Sequence, residues 1–421
     1  MKSLRLRLLP ILLVLLMPAC AFAQSYAKQL ANGVTLVQKI TNGSEKPQLI
    51  NALIVDPSTP GVRVQAVLAG DRVLEESPSK GREVVSSVAK RLDAVAAVNA
   101  DFFPFTGDAL NLHISGGELM SEPYPGRVVF GITSDGRPLV DKVDLDARIT
   151  LDSGKEYPIR IVNGPRVMHK LAVYTRRFAD STGTTSAGAE AVVRCGDLPI
   201  RIGVPITGTV EQVLVDSGNT PIPEGCVVLS GSGTGRNYIE QHLRPGLSLT
   251  MRFDLKTAAT EGWEKVIEAV GGGPYLVVDG KVAVDGSAQG FDAGFCGRAH
   301  PRTAVGYTAD GRLVLVTVDG RQTIAGGMSL ADLANLMLDF GCVRAINLDG
   351  GGSTTMATCF GILNSPSDGS ERPVANALAV FADTHAEETP EFEIRPLDEK
   401  PAVGKTTRFT LVDPSGAPVA P

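Results

Sequence analysis

The stretch Ile346-Asn-Leu-Asp-Gly-Gly-Gly-Ser-Thr-Thr-Met356 places one carboxylate, Asp349, directly before three glycines and a run of hydroxyl side chains. Glycine loses more conformational freedom on folding than any other residue, so three in a row need a reason. The successive N–H groups of Gly350, Gly351 and Gly352 can form a nest for an anion, and Ser353 and Thr354 add hydroxyl donors. The Lys-Ser/Thr of a Walker loop does not follow the glycines, which sets that nucleotide motif aside.

A second carboxylate, Asp319, follows the apolar run Arg312-Leu-Val-Leu-Val-Thr-Val318, although Asp319-Gly320 alone reads as a turn. In crossover sheets ligands collect at the carboxyl ends of strands, so neighbouring strands at 312–318 and 343–348 would bring Asp319 and Asp349 to one edge. Side chains alternate along a strand, and Asn347 therefore shares a face with Asp349. Ala309-Asp310-Gly311 is a hairpin signal. Folding 303–308 back on 312–318 sets Arg302 opposite Val318 and beside Asp319, with His300 one step beyond. Arg302 and Asp319 then form either an anion site or a structural ion pair, while His300 next to Pro301 reads as a surface histidine. Asn99 and Asp101 of Asn99-Ala-Asp-Phe-Phe103 show the same Asn-x-Asp spacing after another apolar run, and locally they read as a strand cap and a loop acid. Gly271-Gly-Gly273-Pro274 reads as a strand entry that also leaves room for a ligand.

The elements that must position these groups follow from periodicity. Ser329 and Asp332 open a helix whose Leu330, Leu333, Ala334, Met337 and Leu338 recur at helical spacing, and Gly341 ends it. Strands at 312–318 and 343–348 flank this helix as a crossover unit. An upstream unit has the same form, with strand 62–69, helix 83–92 and strand 94–99. Residues 137–260 are rich in valine, threonine, glycine and proline without helical period, which predicts a strand-rich insertion. Within it, Ser230-Gly-Ser-Gly-Thr-Gly235 imitates a dinucleotide fingerprint, but no helix is expected after it and a turn is the reading. The expected fold class is α+β: a mixed β-sheet with crossover helices, a strand-rich insertion, and a truncated β-sandwich module or tail over 385–421, where Lys405 to Val412 reads as one or two strands.

Lys2, Arg5 and Arg7, the apolar run Leu8 to Met17 and Ala21-Phe22-Ala23 make a secretory signal peptide over 1–23, with the main domain at 24–384. The expected location is secreted or periplasmic. Cys20 offers a lipoprotein alternative, which Pro18 in the attachment box disfavours. No later run reaches the length of a spanning helix, so no membrane-spanning segment is expected. Hydrophobic content of 43%, charged content of 20% and a net charge of −6 lack the basic surplus that gripping nucleic acid needs. Five cysteines remain after the leader, and Cys195 with Cys226 and Cys342 with Cys359 are the nearest pairs in sequence. Five scattered histidines and the lack of CxxC or HExxH give no indication of a metal or other cofactor. The sequence carries no signal of oligomeric state.

Asn99-Ala-Asp-Phe-Phe103, Gly271 to Gly280, Pro301-Arg-Thr-Ala-Val-Gly306, Val318-Asp-Gly-Arg321, Asn347 to Thr355 and Asn364-Ser-Pro-Ser-Asp368 occur in the order found in the phosphodiester glycosidase family, which the chain resembles over about 31–382. The resemblance implies hydrolysis of a sugar-1-phosphodiester in a glycan, releasing free sugar and a phosphomonoester. For that chemistry Asp349 is the first choice as nucleophile or base and Asp319 as the second carboxylate, the two being interchangeable on the sequence, with Asp101 a third acid. Arg302, His300, Thr354 and the Gly350 to Ser353 backbone would hold the substrate anion, and Asn99 and Asn347 would bind sugar hydroxyls or orient an acid. Two other readings use the same residues. Acids clustered with asparagine would hold a divalent metal for attack on phosphorus, or the site would bind an envelope glycan without cleaving it.

Overall fold

The computed structural model describes residues 24–42, 46–74, 81–104, 110–257, 261–358, 360–383, 393–396, 409–412 and 417. The signal-peptide and lipoprotein readings, Cys359, and most of the tail lie outside those residues. The chain divides into two compact units, Met1–Ala382 and Asp383–Pro421.

The apolar run after Arg312 forms the Leu313–Val318 strand, buried at every position, as expected of a strand covered on both faces. It lies inside an eight-stranded sheet, between the Pro47–Val55 and Arg302–Thr308 strands. The Leu330–Asp339 helix covers one face, and its Ser329 cap accepts from the Asp332 N–H (3.2 Å), a bond worth about 1 kcal/mol. Leu330, Leu333 and Met337 pack there with Ile50, Val314 and Val316. On the opposite face Leu53, Val305, Leu315 and Ile346 meet Val64, Val98 and Leu378 of a five-stranded sheet. The Val85–Arg91 helix backs that second sheet through Val85, Val88 and Ala89. The order of layers is helix, sheet, sheet, helix.

Both sheets are built on the same unit. Leu313–Val318 and Cys342–Asn347 each run antiparallel to the Arg302–Thr308 strand between them, so they are parallel to one another and joined by the crossover helix. Arg63–Leu68 and Ala96–Asn99 stand in the same relation to Asn376–Phe381 and the other helix. The two Asn-x-Asp tripeptides therefore end topologically equivalent strands, one in each sheet.

The insertion forms a second eight-stranded sheet with strands between Asp144 and Lys256, whose core it shares with Ile114, Leu119, Val129 and Ala269 from outside the insertion. One expectation fails within it: a helix, Thr234–His242, follows the Cys226–Gly231 strand where a turn was expected. Only Tyr238 and Ile239 bury large apolar side chains on this helix, too few to show a period, and Gly231 and Gly235 pack where a Cβ would collide with backbone. Cys195 and Cys226 are free thiols on neighbouring strands. Cys226 stands opposite Arg194, so Cys195 faces the other side of the sheet, and the two enter different cores. In the second unit Glu393–Pro396 pairs antiparallel with Phe409–Val412.

Candidate active site

The equivalent strand ends of the two sheets meet face to face. The Ala96–Asn99 strand leads into Asp101 and the Cys342–Asn347 strand into Asp349. The Asp349 N–H donates to the Ala100 carbonyl (2.8 Å), and Asn99 Nδ2 donates to the Asp349 carbonyl (2.7 Å). Asn99 Oδ1 accepts from the Thr303 hydroxyl (2.8 Å) and the Thr355 N–H (3.0 Å). With no exposed surface, Asn99 orients the acid and offers nothing to a sugar hydroxyl. Asn347 is equally buried; its Nδ2 donates to the Gly273 carbonyl (2.8 Å), while its Oδ1 has no partner.

Asp101 is 1% exposed, and its two oxygens accept from the Phe102 N–H (2.8 Å) and the Asn111 N–H (3.0 Å). Burial pushes its carboxyl up to about 7, and the charge of Asp349 adds to the rise against those N–H groups and the Arg127 guanidinium. Asp349 is half-buried and holds the Gly350 N–H on Oδ1 (2.9 Å). Burial raises it to about 6, opposed by the Ser353 hydroxyl, Arg372 and the Gly350 N–H. The Ser353 hydroxyl forms no well-aligned hydrogen bond, yet it lies near enough to this carboxylate to counter the shift. Two interacting carboxyls whose protons come off near neutrality are the equipment of acid–base or nucleophilic work at one centre.

The glycine turn is not the open anion nest that its sequence suggested. The Gly350 N–H is taken by Asp349, the Gly351 N–H by the Pro301 carbonyl (2.9 Å), and those of Ser353 and Thr354 by the Gly350 and Gly351 carbonyls (each 3.2 Å). The segment closes as one 3-10 turn, Gly351–Ser353, that takes up the Ser353 and Thr354 N–H groups. The glycines answer to close approach instead. A Cβ on Gly350 would stand 2.7 Å from the Pro301 oxygen, and one on Gly351, at φ +63, would stand 3.0 Å from Arg321 Nη1. On Gly352 it would run into Asp368 Oδ2 and Arg372 Nη2, an ion pair of 2.6 Å. Two guanidinium groups thus press on the turn that carries Asp349, and the hydroxyls of Thr354 and Thr355 are buried there without partners.

Three residues expected at the site have other occupations. The hairpin does pair Arg302 with Val318, but its guanidinium turns away from Asp319. Nε donates to the Met328 carbonyl (3.0 Å) and Nη2 to the Phe295 (2.6 Å) and Arg298 (2.9 Å) carbonyls. Those last two acceptors lie at the end of the Ala293–Gly297 helix, where orphan carbonyls attract a cation. Arg302 is a buried strut, 1% exposed, rather than an anion receptor. Asp319 is separated from Asp349's strand by the intervening Arg302–Thr308 strand, and its carboxylate accepts from the Ser365 N–H (3.2 and 3.1 Å). The expected pair of Asp349 with Asp319 is replaced by Asp349 with Asp101. Asp319 instead borders a cleft of about 570 Å³ with Tyr26, Gln38, Asn51 and Leu363, a cleft whose lining includes neither Asp101 nor Asp349. His300 Nδ1 accepts from Arg321 Nε (3.3 Å), and burial together with the nearby arginines lowers its pKa.

Sequence reasoning missed Arg127 and Arg372. Neither sits in a glycine- or asparagine-marked block, and only the tertiary fold brings them to the acids. Phe102 joins Phe291 (5.5 Å between ring centres) and Phe295 (6.1 Å), whereas the Tyr275 hydroxyl is directed to Asp141 (3.3 Å). No group of three or more histidine, cysteine or carboxylate side chains gathers in metal-binding geometry among the described residues.

Residues 205–381 match the phosphodiester glycosidase family, so the resemblance carried by the motifs from Gly271 to Asp368 holds over that segment. Two curated relatives share short stretches. The SPbeta prophage-derived uncharacterized protein YomE of Bacillus subtilis is 44% identical over 81 residues, 19% of this chain and 13% of its own. The N-acetylglucosamine-1-phosphodiester alpha-N-acetylglucosaminidase of Bos taurus is 48% identical over 67 residues, 16% of this chain and 12% of its own. The matches thus span about an eighth of those relatives' lengths. A hypothetical protein from Synechocystis has a similar fold, with a TM-score of 0.71 at 21% identity over 85% of this chain and 64% of that one.

Proposed function

We propose that the chain is an exported hydrolase of a sugar-1-phosphodiester in an envelope or extracellular glycan, cleaving the bond between the anomeric carbon and oxygen. The observation that carries this reading is the coupled pair Asp101 and Asp349 at facing strand ends, inside a chain matching phosphodiester glycosidases. Asp349, the more open acid, either attacks the anomeric carbon or takes the proton of the attacking water. The carbon–oxygen bond breaks with its electron pair going to the phosphate, which leaves as a phosphomonoester. A phosphate oxygen departs more readily than a sugar alkoxide, so the proton held by Asp101 needs to assist only weakly. Asn99 fixes the Asp349 backbone, and Arg321 and Arg372 moderate charge at the turn. N-acetylglucosamine is the first sugar to try, because the matched bovine relative carries that name.

The test is incubation of the mature protein with a panel of sugar-1-phosphodiesters in ¹⁸O-labelled water. Label in the released sugar supports the proposal. Label in the phosphate would mean attack on phosphorus, and retention of glycan without any reducing sugar would mean a binding protein. Export is read separately, by N-terminal sequencing of the secreted product, which should start at Gln24.

A further inference from the structure

Arg127 stands just ahead of the Val128–Thr133 strand, and its guanidinium carbon lies 4.6 Å from the Phe291 ring centre, 4.7 Å from Tyr124 and 5.3 Å from Phe102. Three rings flank the guanidinium of this half-buried residue, an attraction that is favourable but modest. A cation so placed ordinarily completes itself with oxygen acceptors, as Arg302 does with three carbonyls. Arg127 does not. Its Nε and Nη1 are buried and neither has an acceptor. Asp101 is near enough for the guanidinium to act on its charge, but the Asp101 oxygens already accept from the Phe102 and Asn111 N–H groups. An unpartnered, ring-held cation therefore sits beside the carboxylate pair, with donors on two of its edges lacking an oxygen. A sugar hydroxyl would fill one such edge but leave the positive charge unbalanced. A phosphodiester brings two non-bridging oxygens and one negative charge, which answers both needs.

We propose that Arg127, clamped by Tyr124, Phe291 and Phe102, receives the phosphate group of the substrate, the part expected of Arg302 and the glycine turn. This rests on reading the Asp101–Asp349 pair as the reaction centre. The clamp fixes the plane of the guanidinium, so the phosphate is presented in one orientation with its sugar directed toward the acids.

Inorganic phosphate binding is measured by calorimetry on the mature protein, Arg127→Gln and Arg127→Lys, and turnover is measured on the methyl diester of N-acetylglucosamine-1-phosphate and on the neutral 4-nitrophenyl N-acetyl-α-glucosaminide. Arg127→Gln should weaken phosphate about tenfold or more and lower kcat/KM on the diester by a similar factor, while the neutral glycoside, which brings no anion to Arg127, loses distinctly less and Arg127→Lys recovers part of the loss. In the unaltered protein the Arg127 Nε–H resonance should shift on phosphate titration, a reading that does not depend on a variant folding. Unchanged affinity in Arg127→Gln, an unmoved Arg127 resonance at high phosphate, or equal losses on the charged and neutral substrates would each overturn the assignment. If phosphate binding depends on Arg127 but no diester is cleaved, the glycosidase reading falls and the anion site stands. If the diester is cleaved equally well by Arg127→Gln, the anion site falls and the glycosidase reading stands.

Discussion

Replacing Asp101 by asparagine separates the two acids by their pH limbs. On the proposed mechanism, activity in the unaltered protein requires Asp349 as the anion and Asp101 protonated, with apparent values of about 6 and about 7 that belong to the pair. At pH 6.5 each group is in the required form about three-quarters of the time, so a little over half of the molecules are competent. At pH 4.5 only about 3% of Asp349 is ionised, and at pH 8.5 only about 3% of Asp101 keeps its proton, so kcat/KM falls about twentyfold two units either side of the optimum. Asp101→Asn removes the alkaline limb. The acid limb should stay near 6, because Asp349 titrates while its neighbour is still neutral and its rise is due to burial. Loss of proton assistance should lower the plateau by about a hundredfold, the small end of the range for general acids, given the good leaving group. The assay is initial-rate release of sugar from a phosphodiester between pH 4 and 9, on both proteins. An alkaline limb that survives near 7 in Asp101→Asn, or an acid limb that drops to an ordinary carboxylate value, would refute the pairing.

Three further outcomes follow from particular contacts. Gly352→Ala forces the Asp368–Arg372 pair off the turn and so removes a charge that holds Asp349 down; its acid limb should move upward in the same pH assay. Arg302→Met takes a donor from three carbonyls, of which that of Met328 keeps the His300 N–H, and should cost about 1–3 kcal/mol in urea unfolding, while the KM of the protein that remains folded changes little. His113 is buried beside Asn376, and burial depresses its pKa to about 3. The folded state then binds fewer protons than the unfolded one, so stability is lost as pH falls from about 6.5 toward 3, and acid unfolding should be shallower in a folded His113→Gln.

The strand and helix pattern around residue 330 was legible because apolar period, cap and hairpin glycine all pointed the same way, and the structure places Leu330–Asp339 and Arg302–Thr308 within a residue or so of expectation. The Thr234–His242 helix was illegible because two buried side chains cannot display a period. At the site, the sequence marked Asp349, Asp101 and Asn99 but misjudged Arg302. A buried arginine is drawn to whichever acceptors the fold leaves open, and those were carbonyls at the end of a five-residue helix that no local pattern announced. Arg127 gave no local signal, since its meaning comes from Phe291, more than 160 residues away.

The two Asn-x-Asp ends show how one tripeptide pattern, used twice, comes to sit in two chemical environments. Both tripeptides close a parallel strand whose intervening antiparallel neighbour and crossover helix are alike, so topology alone would make Asp101 and Asp349 equivalent. Their surroundings make them differ. Asp101 is enclosed beneath Asn111 and the Gly271 backbone, where a Cβ on that glycine would stand 2.5 Å from its carboxylate. Asp349 heads a turn with arginines on its outer side and part of its surface open. The enclosed acid keeps its proton to higher pH than the open one, the difference that the proposed acid and base require of each other. Bringing two copies of a strand end together supplies the pair of carboxylates, and burying one more deeply than the other supplies the difference between them.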